Sequence, residues 1–450
     1  MTTLNPSSVP PAVLEAVKTL HEGGFRAFLV GGCVRDLLRG GKPRDFDVAS
    51  SARPEQVQKL FKKVIPTGIE HGTVTVVLKG EHVEVTTFRA EAEYLDGRRP
   101  SKVDFHEDIE ADLSRRDFTM NAIAWDPVKN DLVDPFDGQG DLARHTVRCV
   151  RKAFDRFSED GLRPLRAVRF ATVLDFELEA ETEKAIGQTL DVFRKVAQER
   201  VHQEFVKLLA SPQVVKGLTL LERTGLLGAF LPEARPRSAH RTLAAGKPTA
   251  PTSDAAQFSE AFRAADAAAR LNGTALEFQT EIAVTFEAVG RATADEPLRL
   301  AVLLYAQQNA RDALMRLKFP NKVAEEAAAL AKITELPAPT ASDAELRRFL
   351  AKITIDRGAH ACAMHHALTD DSRELAITID RLLPVIHARP PLTAKDLALD
   401  GKAIMTTLGV GPSPAIGQAT RFLVDQVLDE PARNTPEQLT KLLHGWSPKA

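Results

Sequence analysis

Cysteine, tryptophan and tyrosine are scarce in this chain of 450 residues, which has three, two and two of them. Cys33, Cys149 and Cys362 lie far apart and form no Cys-x-x-Cys pair, which argues against a disulfide framework and a cysteine zinc site. The chain also lacks an apolar run long enough to cross a bilayer, and its amino end lacks the pattern of a secretion signal. We therefore expect a soluble cytoplasmic protein without membrane association.

An excess of charge of one sign is also absent. The formal net charge is −2 at pH 7, with 27% charged and 44% hydrophobic residues. This composition is typical of a globular protein and excludes a uniformly basic coat for nucleic acid, so any basic surface must be local. The length is sufficient for roughly three domains.

Hydrophobic periodicity divides the chain into a mixed first part and a helical remainder. Between about Pro10 and Leu142, helical segments alternate with short apolar strands, whereas strand patterns become rare after Phe154. We predict an α+β fold, in which a small mixed-sheet head is followed by an all-α neck, body and tail. The predicted boundaries are 1–142 for the head, 143–232 for the neck, 233–255 for a linker rich in Pro, Ala and Thr, 256–383 for the body and 384–450 for the tail.

Three acidic residues in the head suggest a metal site. In the segment FLVGGCVRDLLRGGKPRDFDVAS, Asp45 and Asp47 lie two residues apart on a predicted strand and so share a face. Glu84 in EHVEVTTFR would join them if the two strands pair. Carboxylates this close repel unless a cation lies between them, and Mg2+ prefers oxygen ligands. The preceding Gly31-Gly32 turn opens a helix and would expose backbone N–H groups to a triphosphate.

Each of these features alone is more typical of a turn or a solvated strand edge. Their combination in this order favours two-metal phosphoryl transfer. The motifs LVGGCVRDLLRG and PRDFDV, followed by TGIEHGTVTVV, VEVTTFR, RRDFTMNAIA, LVDPFDGQGDL, SEDGLRPLRAVRFA and ERVHQEFVKLL, resemble the class II tRNA nucleotidyltransferases. That family includes CCA-adding enzymes and bacterial poly(A) polymerases, within the polymerase-beta nucleotidyltransferase superfamily. The resemblance covers about residues 24–232.

The resemblance implies roles for individual residues. Asp45 and Asp47 would bind the metal, Glu84 would be the third catalytic carboxylate, and Gly31, Gly32 and Arg35 would contact the nucleotide. In RRDFTMNA, Arg116 is a candidate for phosphate or ribose contacts and Asp117 for accepting a ribose hydroxyl; alone, these two could be a surface ion pair. The remaining nucleotide-binding candidates are Asp160, Arg163, Arg166 and Arg169.

The segment EDGLRPLRAVRF suggests how a base is selected without a template. With Ser158 as the predicted N-cap, Asp160 and Arg163 would lie three residues apart on one helix, and Arg166 and Arg169 would continue the stripe. Aspartate accepts and arginine donates, a pattern that fits cytosine and adenine but not uracil or guanine. The alternative is a surface ion pair.

The predicted function is therefore template-independent addition of C and A, from CTP and ATP, to the tRNA 3′ end with Mg2+ as cofactor. The tail would bind the tRNA elbow, and nothing indicates an obligate protein partner. The alternatives are a bacterial poly(A) polymerase, an enzyme adding only CC or only A, and a catalytically inactive RNA-binding module. The segment Val64–Val76 favours the CCA-adding form, and the long loop after Arg89 argues weakly against a CC-only enzyme.

Many relatives carry a metal-binding His-Asp pair in the second helical block, but here Tyr305 and Ala306 stand in that place. We therefore expect no second metal site and no phosphohydrolase activity. The adjacent His365 and His366 would point in different directions if they lie on one helix.

Overall fold

The computed structural model describes residues 3–89, 108–234, 287–369 and 373–448. Most of the predicted linker, the start of the predicted body and most of the long loop after Arg89 lie outside these ranges. Internal contacts divide the chain into two units, Met1–Pro232 and Glu233–Ala450. The boundaries predicted within these units stay predictions.

A mixed sheet of seven strands forms the centre of the first unit, in the order β3-β4-β5-β2-β1-β6-β7. Its strands are β1 Ala27–Val30, β2 Asp47–Ser50, β3 Val64–Gly68, β4 Thr73–Leu78, β5 Glu81–Thr87, β6 Ala124–Asp126 and β7 Asp131–Val133. The β2 and β5 strands pair in parallel, and the other neighbours are antiparallel. A further pair, β8 Thr146–Val147 and β9 Glu177–Leu178, lies in the predicted neck.

The alternating pattern of β5 explains how this sheet exposes an acidic residue. Val83 and Val85 are 1% exposed, whereas Glu84 between them is exposed. Successive side chains of a strand point to opposite faces, so burying the valines turns Glu84 outward. Behind the sheet, a buried apolar cluster includes Phe28, Ala49 and Phe88.

Helices cover the sheet and then predominate along the rest of the chain. In the first unit they are α1 Pro11–Glu22, α2 Gly32–Leu38, α3 Pro54–Leu60, α4 Ile109–Ser114, α5 Gly138–Ala143, α6 Ala153–Glu159, α7 Arg163–Leu174, α8 Ala180–Gln188, α9 Leu190–Phe193, α10 Gln198–Leu209, α11 Val214–Arg223 and α12 Leu226–Phe230. The prediction of an α+β head followed by helices is confirmed.

Two local predictions were wrong. The β2 strand begins at Asp47, so Asp45 lies in the preceding loop and strand alternation does not apply to it. The helix expected to start at Ser158 is two helices, because α6 ends at Glu159 and α7 begins at Arg163. The Ser158 hydroxyl donates to the Phe154 carbonyl within α6 and caps nothing.

The described part of the second unit is helical: α13 Glu296–Leu303, α14 Ala310–Arg316, α15 Asn321–Ala331, α16 Asp343–Ile353, α17 Ile355–Leu368, α18 Arg373–Ala388, α19 Gly401–Leu408, α20 Pro414–Asp429 and α21 Pro436–His444. Tyr305, after α13, is buried and its hydroxyl donates to the Thr334 carbonyl. On α17, His365 is buried against the Ile333 carbonyl, whereas His366 is exposed. Within the described ranges, no helix combines the length and apolarity required to cross a bilayer.

Candidate active site

Two of the three predicted catalytic carboxylates lie side by side on the sheet. Asp47 is the first residue of β2, and its strand partners are Val30 of β1 and Glu84 of β5. In-register neighbours on paired strands lie on the same face, so both carboxylates are presented together. Burial raises the pKa of Asp47; the nearby Arg116 guanidinium acts in the opposite direction, and the negative charge of Asp45 adds to the rise.

The environment of Asp47 suits a cation. Two neighbouring carboxylates raise each other's affinity for positive charge, and hard divalent ions take carboxylate oxygens together with water and substrate phosphate. Among the residues that the structure describes, no group of three or more His, Cys, Asp and Glu side chains has the arrangement to hold a metal ion by itself. A site built on Asp45 and Asp47 would therefore complete its coordination with water and triphosphate oxygens.

A glycine turn brings the chain from β1 into α2 next to these acids. Gly31 has φ 75° and ψ −127°, a backbone conformation that side-chain-bearing residues avoid. A Cβ atom at Gly31 would lie 2.8 Å from Nη1 of Arg116. At Gly32, the closest atom to a Cβ is Nη2 of Arg35, at 3.7 Å. Both predicted glycines thus lie beside predicted nucleotide-binding arginines.

Asn121, which the sequence did not single out, connects several predicted residues. Its Oδ1 accepts from Nη1 of Arg35 at 2.8 Å, and its Nδ2 donates to Oδ1 of Asp117 at 3.0 Å. Its backbone carbonyl lies 3.5 Å from Nη1 of Arg116. Asn121 lies within the RRDFTMNA motif, but sequence separation gives no sign that it meets Arg35 of α2.

The Asp117 carboxylate is buried and accepts four hydrogen bonds. Oδ1 accepts from the Phe118 N–H at 2.8 Å and from Asn121, while Oδ2 accepts from Nε and Nη2 of Arg166 at 2.9 and 2.6 Å. Burial alone would raise the pKa of Asp117, but the Arg166 charge and the hydrogen bonds from Asn121 and Arg166 lower it to about 2. Asp117 is therefore ionised at neutral pH.

A second buried carboxylate holds the neighbouring arginines. Asp112 of α4 is 1% exposed and pairs with Nη2 of Arg115 at 2.6 Å and with Nη2 of Arg116 at 3.1 Å. Burial opposes ionisation of Asp112, but these two guanidinium groups prevail and its pKa is lowered. Asp112 fixes the side chain of Arg116 beside the Gly31 turn.

Asp160 lies between α6 and α7, not on a shared helix with Arg163 as predicted. Its Oδ1 accepts from the Leu162 N–H at 3.0 Å, and Arg200 of α10 donates to both carboxylate oxygens at 3.1 and 2.8 Å. The two predicted residues remain neighbours, because the Arg163 N–H donates to the Asp160 carbonyl at 3.0 Å. The ion-pair partner of Asp160 is thus Arg200.

Arg163 is anchored on one side of its guanidinium. Nη1 donates to the Arg156 carbonyl at 3.0 Å and to Glu159 at 2.8 Å, and Nη2 donates to the Arg115 carbonyl at 3.0 Å. Arginine has five donors. Within the described ranges, the Nε–H and one Nη2 hydrogen of Arg163 have no protein acceptor, so this edge can recognise a ligand.

Arg166 and Arg169 continue along α7 toward Glu204 of α10. Oε2 of Glu204 accepts from Nε of Arg169, and its Oε1 lies 3.6 Å from Nη1 of Arg166. The guanidinium groups of Arg35, Arg166 and Arg169 all lie over the Phe170 ring, at 5.3, 5.5 and 3.6 Å from its centroid. Predicted nucleotide-binding residues of α2 and α7 thus share one aromatic ring, at distances that allow cation–π contacts.

Three family sequence models match the chain. Residues 27–148 match the "Poly A polymerase head domain". Residues 175–237 match the "Probable RNA and SrmB-binding site of polymerase A", and residues 294–443 match "tRNA nucleotidyltransferase domain 2".

Several curated relatives are CCA-adding enzymes. The enzyme of Lactobacillus johnsonii is 48% identical over 215 residues, which are 48% of this chain and 54% of that protein. The chain thus spans about half the length of this relative, and 56% of the Lactobacillus gasseri enzyme at 47% identity. The Geobacillus stearothermophilus enzyme is 34% identical over 434 residues, covering 95% of this chain and 94% of the relative.

Solved structures show the same similarity. The crystal structure of the Bacillus stearothermophilus CCA-adding enzyme in complex with CTP has a TM-score of 0.71 and 30% identity, and the match covers 97% of this chain and 98% of that one. The Thermotoga maritima CCA-adding enzyme complexed with a tRNA shares the fold, with a TM-score of 0.61 at 20% identity over 99% and 100% of the two chains. Because the match to the Geobacillus stearothermophilus enzyme extends over nearly the whole of both proteins, the chain belongs to the family of CCA-adding enzymes.

Proposed function

We propose that this protein is a CCA-adding tRNA nucleotidyltransferase of the cytoplasm, which adds C and A from CTP and ATP to the tRNA 3′ end without a nucleic-acid template. The observation that carries this proposal is the pairing of Asp47 with Glu84 beside the Gly31 turn and its arginines. Family membership supports the same activity. The three cysteines are buried free thiols, which suits a reducing compartment.

Nucleotidyltransferases of this family depend on a divalent cation, and we assign Mg2+ to Asp45 and Asp47. When bound, the cation activates the attacking 3′ hydroxyl and offsets charge on the departing pyrophosphate. Glu84 is exposed beside Asp47 and adds a third negative charge to this face of the sheet. The tRNA hydroxyl attacks the α-phosphate of the nucleotide, the bond to the β-phosphate oxygen breaks, and pyrophosphate leaves.

We assign the triphosphate to the positively charged groups beside the glycine turn, Arg35 and Arg116. Both guanidinium groups are held by protein acceptors, so little side-chain entropy remains to be lost on binding. Arg116 and Asp117 are assigned jointly to the ribose. Because the Asp117 carboxylate already accepts four hydrogen bonds, a ribose hydroxyl that reaches it must replace one of them.

Asp160 and Arg163 are assigned to the base. Arg200 and the Leu162 N–H orient the carboxylate as an acceptor, and the anchored Arg163 retains two donors on one edge. Cytosine and adenine each present an amino donor beside a ring-nitrogen acceptor, whereas uracil and guanine present the reverse. Each mismatched buried polar group costs about 1–3 kcal/mol, so this pair accepts C and A and rejects U and G.

The second unit is assigned to tRNA, with the tail at 384–450 on the elbow. Support for this assignment comes from the match of residues 294–443 to a domain of tRNA nucleotidyltransferases.

One addition assay tests the proposal. Purified protein, CTP, ATP and Mg2+ are incubated with tRNA transcripts that lack all three terminal nucleotides, lack only the terminal A, or are complete. Growth to a single terminal A and no further is expected. Long A tails would instead indicate a poly(A) polymerase. Addition of only CC or only A would indicate a partial enzyme, and no addition would indicate an inactive RNA-binding protein.

Asp47→Asn should abolish addition while tRNA binding persists. The matched control is Asp131→Asn, which changes an exposed aspartate at the start of β7. Retained turnover in Asp47→Asn would refute the assignment of Asp47 as a metal ligand.

A further inference from the structure

We propose that Asn121 is a positioning residue, which holds Arg35 and Asp117 at a fixed separation so that the triphosphate and the ribose are bound together in a single geometry. This inference rests on the proposed function, because it takes Arg35 and Asp117 as nucleotide-binding residues.

The Asn121 side chain links two groups of opposite charge in only one orientation. Its oxygen faces the Arg35 guanidinium at 2.8 Å and its nitrogen faces the Asp117 carboxylate at 3.0 Å. Rotating the amide by half a turn would place N–H against N–H and oxygen against oxygen. The two partners therefore determine the orientation of the amide, and the amide determines the distance between them.

The backbone that carries Asn121 is firmly supported. It ends a 3₁₀ turn, Thr119–Asn121, and its N–H donates to the Phe118 carbonyl at 2.9 Å. The Thr119 hydroxyl donates to Asp141 at 2.6 Å, and the Thr119 N–H donates to the Arg148 carbonyl at 3.0 Å. Asn121 itself is 6% exposed. A rigid support of this kind is what a residue needs to position others.

For Arg35, Asn121 supplies a hydrogen bond to another element, in addition to the cation–π contact with Phe170. The other hydrogen-bonded partner of Arg35 is Asp36, which follows it on the same helix and moves with it. Among the described residues, the bond to Asn121 is the only hydrogen bond from the Arg35 side chain to another element. Its loss would free the guanidinium to leave its position over Phe170.

The test is a double-mutant cycle on the full-length protein with tRNA lacking its three terminal nucleotides. Asn121→Ala should raise the KM for CTP about tenfold, with a smaller fall in kcat, and should lower the preference for CTP over dCTP. In an Arg35→Ala background, Asn121→Ala should raise the KM for CTP by a smaller factor than in the wild-type background, because the contact to Arg35 is already lost and only the contact to Asp117 remains. Asn130→Ala is the matched control, since Asn130 also accepts one side-chain bond, from Trp125, in the turn between β6 and β7.

The alternative is a purely structural role for Asn121. In that case Asn121→Ala would lower the melting temperature and the active fraction without changing the KM for CTP. Alternatively, Asn121→Ala would raise the KM for CTP by the same factor in the wild-type and Arg35→Ala backgrounds. Either result overturns the proposal. If Asn121→Ala does not fold, Asn121→Ser is used, because the serine hydroxyl ends one bond short of the amide atoms that contact the two partners.

Equilibrium binding of CTP separates this inference from the proposed function. A wild-type protein that binds CTP but extends no tRNA would refute the proposed activity, and the Asn121–Arg35 coupling would then be measured from dissociation constants. A wild-type protein that extends tRNA normally while Asn121→Ala binds CTP equally well would refute this inference alone.

Discussion

Replacement of Gly31 by alanine should damage the site in two separable ways. The backbone at Gly31 has φ 75° and ψ −127°, and an L-residue held at positive φ costs about 1–3 kcal/mol. The new Cβ would also lie 2.8 Å from Nη1 of Arg116, which therefore has to move. For a unit of this size, the backbone cost corresponds to a fall in melting temperature of roughly 2–12 °C.

Gly24→Ala provides the matched control. Gly24 has φ +83°, yet a Cβ there would meet nothing within 4 Å, so this variant strains the backbone without disturbing an arginine. Calorimetry on both variants measures the loss of stability caused by the strained backbone. The rate of C addition to tRNA, at a temperature where both variants are folded, measures the loss of activity caused by the displacement of Arg116. We expect Gly31→Ala to lose at least tenfold in kcat/KM and Gly24→Ala to lose less than twofold. Equal activities for the two variants would refute the idea that Gly31 is required by the close approach of Arg116.

Two further substitutions and two measurements on Cys33 test other parts of the protein. Arg200→Ala removes two donors from Asp160, and competition between CTP and UTP in single-nucleotide addition should show selectivity for C falling about tenfold, while unchanged selectivity would contradict the assignment of Arg200. Asp112→Ala leaves Arg116 without its buried carboxylate, so urea denaturation should show a fall of about 3–5 kcal/mol in the free energy of unfolding, and a fall below about 1 kcal/mol would contradict this. Burial raises the pKa of Cys33 to about 11, so a disulfide reagent at about pH 8 should label the thiol only after unfolding. The pKa of Cys33 in the folded protein is above the ordinary value of 9.0, so burying the neutral thiol stabilises the fold fully below pH 9.0. This stabilisation is lost as the pH rises toward about 11. Urea denaturation at the two ends of this pH range would detect the loss.

The mixed head, the helical remainder and the outward orientation of Glu84 could be predicted from the sequence. The alternation of Val83, Glu84 and Val85 is a local signal, and it placed the acid on the exposed face of β5. The parallel pairing of β2 with β5 could not be predicted, because strand periodicity does not determine which strands pair.

The error at Asp160 had a signal in the sequence that the periodicity obscured. Pro164 occupies the first turn of α7, where proline is favoured, and therefore marks a helix start after Asp160. Gly161 separates the two helices, and a Cβ there would lie 2.6 Å from the Val192 carbonyl. The apolar spacing alone predicts one helix, whereas Gly161 and Pro164 divide the segment into two.

The residues that were missed have no local signal. Arg200 reaches Asp160 from forty positions further along the chain, and Asn121 meets Arg35 across eighty-six. Contacts of this kind depend on how elements pack, and a single sequence carries no periodicity that reports them. The sequence indicates which charged residues are candidates, but the partners of those residues require coordinates.

The parallel pairing of β2 with β5 also affects when the candidate active site forms during folding. A parallel pair cannot close through a tight turn, and here α3, β3 and β4 intervene between the two strands. Loop-closure entropy makes such a distant pairing slow compared with helix formation. A refolding chain should thus regain most of its helical circular dichroism before Asp47 and Glu84 pair. The early folding intermediate would be helical but catalytically inactive.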